Sequence, residues 1–218
     1  MQRDQLVAGC LVALQKLMVV GLLFGVAGVA AWWFEGRDKY ADAGVPVPKP
    51  PLGHATPTPM VTKPENGSGL ENLKYDLQRD VIQAGWVSAP TTARCDVSKI
   101  SSQQRKFRCT VQYMGLQVPF QVDIIRIIGS PNIGVGLINY ERHAERLPLT
   151  RAGVFAKFWQ ENTAAKNKNL RCDDIPEKTL VRPGRTDYFC YATTERNRHL
   201  RYAVEVKESG LRFMIASE

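Results

Sequence analysis

Two hydrophobic periodicities divide this chain. Between Gly69 and Gly85 the apolar residues Leu70, Leu73, Leu77 and Val81 fall at i, i+3, i+7 and i+11, one face of a helix that Gly85 is expected to end. Further on the period becomes two. Phe107, Cys109 and Val111 alternate with polar positions, Gly115 sits where a hairpin must turn, and Val118, Phe120, Val122 and Ile124 alternate again. This pattern predicts two antiparallel strands, a turn at Ser130-Pro131-Asn132, and a third strand over 133–140.

The same order then recurs. Val154, Phe155, Phe158 and Trp159 mark a second helical face, Cys172 follows, and Pro183-Gly184 makes a turn. Tyr188 to Thr193 carries Cys190, the polar run at 195–199 turns a hairpin, Leu200, Tyr202, Val204 and Val206 alternate, and 211–216 closes the chain. Laid on each other, Cys95-Asp96 matches Cys172-Asp173, and Phe107-Arg108-Cys109 matches Tyr188-Phe189-Cys190. Val118, Phe120 and Val122 match Leu200, Tyr202 and Val204. One small module used twice is the expectation.

Upstream, residues 17–34 carry no charge over 18 positions, which at ~1.5 Å per helical residue spans a hydrocarbon core of ~30 Å. Trp32 and Trp33 close the stretch at headgroup depth, and Glu35, Arg37, Asp38 and Lys39 follow. Arg3 and Lys16 precede it, so the positive-inside tendency keeps the short N-terminal end cytoplasmic and exports the rest. A cleaved signal peptide ending near Val29-Ala30-Ala31 is the rival reading. Leu6 to Cys10 resembles a lipobox, but the long apolar run comes after the cysteine rather than before it, which leaves Cys10 as an unpaired thiol. Prolines at 46, 48, 50, 51, 57, 59 and 64 then favour extended polyproline II at ~3.1 Å per residue, a spacer able to hold a domain ~60 Å from the bilayer.

The fold class expected is therefore α+β: a transmembrane helix, a proline-rich linker, then two tandem modules, each of one helix packed on a small antiparallel sheet with one disulfide. The boundaries are a cytoplasmic N-terminus at 1–16, the membrane helix at 17–34, the linker at 35–69, and modules at 70–146 and 147–218. In an exported module paired cysteines read as disulfides, and of three connectivities the repeat selects Cys95 with Cys109 and Cys172 with Cys190. Closing each loop contributes ~3 kcal/mol on the chain-entropy estimate. A metal is disfavoured, because neither pair has CxxC spacing and His54, His143 and His199 lie apart.

The amphipathic helix, the cysteine followed by an acid (Cys95-Asp96, Cys172-Asp173) and the aromatic before the strand cysteine (Phe107, Phe189) together resemble the DUF4333 domain, over roughly 70–140 and 152–218. That family belongs to membrane-anchored or lipoprotein envelope proteins of actinobacteria, and its function is not established. The resemblance implies a helix on an antiparallel sheet and a disulfide in each module, and it implies no catalytic residues.

Formal charge is +8. From Glu65 onward 23 Lys and Arg face 17 Asp and Glu, so most of the excess lies in the folded part. Spread evenly, such an excess merely aids solubility. Two clusters concentrate it: Arg105, Lys106 and Arg108 around the first cysteine strand, and Arg196, Arg198, His199 and Arg201 in the second hairpin. Of these, Arg105, Lys106, Arg108, Arg196, Arg198 and Arg201 are the candidate face for an anionic partner: phosphate, a teichoic or lipid headgroup, or an acidic protein. A solvated strand face is the competing account. Nucleic acid is disfavoured, since exported modules seldom meet it and no aromatic residues are interleaved for stacking.

No GxSxG, HExxH or P-loop pattern occurs. Asp173, Asp174 and Glu177 read as a solvated loop, and Gly129, Gly134 and Gly136 as loop and strand-edge glycines. The sequence therefore leads to no catalytic, metal or cofactor residues. It leads instead to a single-pass cell-membrane protein with extracytoplasmic modules, serving as a binding or assembly component with another envelope protein or an anionic envelope polymer. The alternative is an inhibitor or immunity-type protein acting on an envelope enzyme or channel, and an envelope enzyme comes third.

Overall fold

Helix α1 (Gly69–Gly85) begins on a capping box: the Ser68 hydroxyl accepts the Glu71 amide at 3.3 Å, while the Glu71 carboxylate accepts the Ser68 amide at 2.6 Å. Its four expected apolar residues are buried, joined by Ile82 and Ala84. The helix stops through Trp86, which takes the left-handed conformation at φ 53° and donates its amide to the Ile82 carbonyl at 2.8 Å. Gly85 serves a different purpose from the expected stop. A Cβ there would lie 2.6 Å from the Tyr113 hydroxyl, so the glycine is what lets the helix end sit on that buried ring. A computed structural model gives this description for Tyr40 and residues 43–50, 57–58, 60–101, 103–130 and 135–216. The expected membrane helix at 17–34 lies outside them, and among the described residues no helix is long and apolar enough to cross a membrane.

The first sheet is a meander, β2 (Thr91–Cys95), β3 (Lys106–Tyr113), β4 (Leu116–Ser130) and β5 (Val135–Ala144), hydrogen-bonded in that order. Met114 and Gly115, both at positive φ, turn the β3–β4 hairpin as an I′-type connection requires. Phe107, Cys109 and Val111 point inward opposite Val122, Phe120 and Val118, and Tyr113 and Ile124 are buried with them, the alternation expected from the sequence.

After α2 (Arg151–Ala164) the second sheet uses β7 (Lys168–Cys172), β9 (Gly184–Thr193), β10 (His199–Lys207) and β11 (Gly210–Ile215), with β1 (Val45–Pro46) added at the β7 edge. Of the expected apolar face of α2, Val154 and Phe158 are buried, while Phe155 and Trp159 are half-buried. The fold is thus α+β, with disulfides Cys95–Cys109 and Cys172–Cys190. Each joins residues directly opposite one another on neighbouring antiparallel strands.

Two features depart from the sequence pattern. A short ribbon, β6 (Leu147–Thr150) with β8 (Lys178–Val181), lies where a module boundary was expected. All four β6 residues are buried, and β6 packs on α1, α2, β4 and β10. Thr150 caps α2 by accepting the Gly153 amide and donates its hydroxyl to the Gly85 carbonyl at 2.8 Å. At Gly153 a Cβ would stand 2.0 Å from that same carbonyl, so the end of α1 and the start of α2 touch through glycine. Helix α1 also reaches β11, and one hydrophobic cluster runs through both halves. Ala43 to Glu218 is consequently one compact unit.

The other departure is the proline-rich stretch. It does not stand clear of the fold from its first residue. Val45 and Pro46 pair with Cys172 and Arg171, the Val47 amide donates to the Leu170 carbonyl, and Val47 is only 5% exposed. The Arg171 guanidinium donates to the carbonyls of Ala43 (2.9 Å) and Gly44 (2.7 Å). Gly44 sits at φ +71° where a Cβ would strike the Cys172 carbonyl oxygen at 2.3 Å. Proline tolerates this edge position because it has no amide to donate.

Candidate binding face

The outward positions of β2, β3 and β4 form a polar platform, because every inward position of β3 and β4 is committed to the core. Thr92 lies opposite Gln112, Arg94 opposite Thr110, and Gln112 opposite Gln117. These side chains, with Cys95, Asp96 and Arg108, line an open cavity of about 400 Å³. The disulfide pins β2 to β3 beneath it, with Cα atoms 4.0 Å apart. Beyond the cysteine the Asp96 carboxylate accepts the Arg108 amide at 3.0 Å, and the Asp96 amide donates to the Arg108 carbonyl at 3.0 Å. The backbone under Arg108 is therefore held while its guanidinium remains exposed. Arg94 is also exposed and is a diagonal neighbour of Arg108, ~7–8 Å away.

Chemically, this face offers two forked guanidiniums, hydroxyls and primary amides around one carboxylate already engaged with backbone. Such a set suits a bidentate oxyanion, a carboxylate or a phosphate.

The sequence-derived basic residues divide between sheets. Arg108 belongs to the platform. Arg105 precedes β3, is exposed, and gives its carbonyl to the Ile124 amide. Lys106 is spent on Asp123, 3.0 Å away. Arg196 and Arg198 are exposed in the β9–β10 turn. Arg201 stacks its guanidinium 3.5 Å from the centre of the Phe189 ring, so its charge braces the second sheet. Arg94 escaped sequence reasoning, since its outward position follows only from the β2–β3 register.

The remaining candidate chemistry resolves into structure. Asp173 accepts the Phe189 amide (2.7 Å) and the Tyr191 hydroxyl (3.1 Å), Asp174 pairs with Arg151 at 2.8 Å, and the Glu177 carbonyl accepts the Arg151 amide. Burial first, then the Asp173 carboxylate, raises the pKa of the Tyr191 hydroxyl. Among the described residues no group of His, Cys, Asp and Glu could hold a metal ion.

A second polar cluster joins α1 to β5. Tyr140 donates its hydroxyl to Asp76, and Arg142 forms a two-bond pair with the buried Asp80. Burial raises the Asp80 pKa above its ordinary 3.8 although Arg142 pulls the other way. Comparison with known protein families, with curated proteins and with solved structures finds no match to this chain.

Proposed function

We propose that this protein is a membrane-anchored, extracytoplasmic binding component of the bacterial cell envelope, and that its β2–β3–β4 face takes an anionic group of an envelope polymer or protein. The observation that carries this reading is the pairing of exposed Arg94 and Arg108 over a disulfide-pinned backbone, beside a cavity lined with hydroxyls and amides. Two disulfides suit an oxidising compartment, and residues 17–34 supply the anchor. The role is recognition rather than catalysis.

Duplication of one module belongs to the same proposal. Each half runs helix, cysteine strand, cysteine strand, strand, strand, with Cys109 opposite Phe120 and Cys190 opposite Tyr202. In both, the acid after the first cysteine exchanges two hydrogen bonds with the residue before the second. This shared clamp gives a physical meaning to the cysteine-acid motif on which the resemblance to DUF4333 rests.

The test measures binding of the full chain in nanodiscs to two probes, polyphosphate and polyglutamate. Replacing Arg94 and Arg108 together by Gln should weaken binding of at least one probe roughly tenfold or more, because each lost charge-assisted bond is worth ~1.5–3 kcal/mol, and should flatten its salt dependence. Unchanged affinity for both probes, with both disulfides intact, would refute the assignment of this face.

A further inference from the structure

Strand β4 is far longer than its partner β3. The last β3–β4 pair is Lys106 with Asp123, yet β4 continues to Ser130 and is matched there only by β5. Residues 125–130 and 135–139 therefore form a two-stranded arm extending beyond the four-stranded sheet. A register shift between Ile124 and Arg126 turns Ile125 outward. Past it, the cross-strand partners Ile127 and Ile138 pack back toward the core, while Ile128 and Leu137, also direct partners, face away. Ile125 is 46% exposed, Ile128 48% and Leu137 71%. These are three of the seven large apolar side chains most exposed among the described residues, and they lie together.

Charge along the arm is one-sided. Between Asp123 and Glu141 the only charged residue is Arg126, opposite Asn139. No carboxylate there would meet repulsion from anionic headgroups, and an arginine on such a surface can bury its stem and keep its charge at headgroup level.

The chain's covalent reach supplies an independent argument. Because Arg171, Leu170 and Cys172 hold residues 43–47, the prolines that follow add nothing to the distance from the apolar stretch at 17–34. Only residues 35–42 remain as tether, and eight residues reach at most ~29 Å. That is shorter than the diameter of a folded unit with a radius of gyration near ~16 Å. The tether therefore keeps the whole unit within about one diameter of the bilayer, where an apolar face can meet it.

We infer that the β4–β5 arm docks in the headgroup layer of the membrane carrying the anchor, with Ile125, Ile128 and Leu137 as its lipid contacts. This rests on the reading of residues 17–34 as a membrane helix. Depth is limited to the interface, because the open edges of a two-stranded ribbon keep their hydrogen bonds only where water reaches them.

The experiment uses the full chain with Cys10→Ser and Asn139→Cys, labelled at position 139 with an environment-sensitive fluorophore, in vesicles containing phosphatidylglycerol and a headgroup-level nitroxide lipid. Docking predicts strong quenching, reduced at least threefold by Ile128→Ser with Leu137→Ser at an unchanged thermal midpoint. Release of the chain by alkaline carbonate would overturn the anchor reading. Retention of the chain with an unquenched label would overturn docking alone, as would equal quenching in the double variant. Bifunctional crosslinking that joins two copies through position 139 would assign the patch to a second copy and also overturn docking.

Discussion

An aspartate after each first cysteine does the same work twice. When a strand ends at a cysteine, the next pair of ladder positions loses an acceptor, and the carboxylate supplies it: Asp96 to the Arg108 amide, Asp173 to the Phe189 amide. Asp173 also holds the Tyr191 hydroxyl and is half-buried, whereas Asp96 is exposed. Asp173→Ala should therefore lower stability by about 1–3 kcal/mol in urea unfolding, and Asp96→Ala by less. Asp173→Asn should recover most of the loss, since the amide oxygen still accepts; equal losses for Asn and Ala would contradict the clamp. The motif itself was legible in the sequence. Its reason was not, because the accepting and donating groups are 12 and 16 residues apart and meet only through strand register.

Elements dock here through polar faces as well as apolar ones. The side of α1 that carries Asp76 and Asp80 meets Tyr140 and Arg142 of β5, and Asp80 is buried in the contact. Because burial raises its pKa in the folded state, that state binds the Asp80 proton more tightly than the unfolded chain does. Asp80 then contributes stability that is fully present below its ordinary 3.8 and is lost as pH rises through the raised folded value. The stability of the parent relative to Asp80→Asn should accordingly increase as pH is lowered from 7 toward 4. Urea midpoints across that range check it, and a difference growing with pH would count against it. Removing the partner is harsher: Arg142→Ala leaves a buried carboxylate uncompensated and should cost about 3–5 kcal/mol.

Whole-molecule behaviour follows from β6. A connector expected to be a boundary is instead a fully buried strand, touched by both helices and by strands of both halves. Lys157, midway along α2, stands over the Trp86 ring at 4.0 Å, adding a second contact between the end of α1 and α2. Residues 43–146 and 147–218 expressed apart should each lack a cooperative thermal transition, since one loses the cover on α1 and the other loses α1 and β1. Calorimetry is the measurement, and a sharp transition in either piece would show that the shared core is dispensable.

By itself, the amino-acid order determined what is local. A period of 3.6 or 2 states which face of an element is buried, so the α1 face, the inward residues of β3 and β4 and the hairpin at Gly115 could all be read directly. The repeated order of elements also carried the cysteine pairing. Tertiary structure decided which faces meet. That Arg171 reaches back to Ala43, that Arg94 stands beside Arg108, that Arg142 finds Asp80, and that β4 outruns β3 are consequences of partners far apart in the chain. Periodicity marks a surface as buried or exposed without naming the surface against it, and that second fact makes Ala43 to Glu218 one compact unit and leaves an apolar arm uncovered.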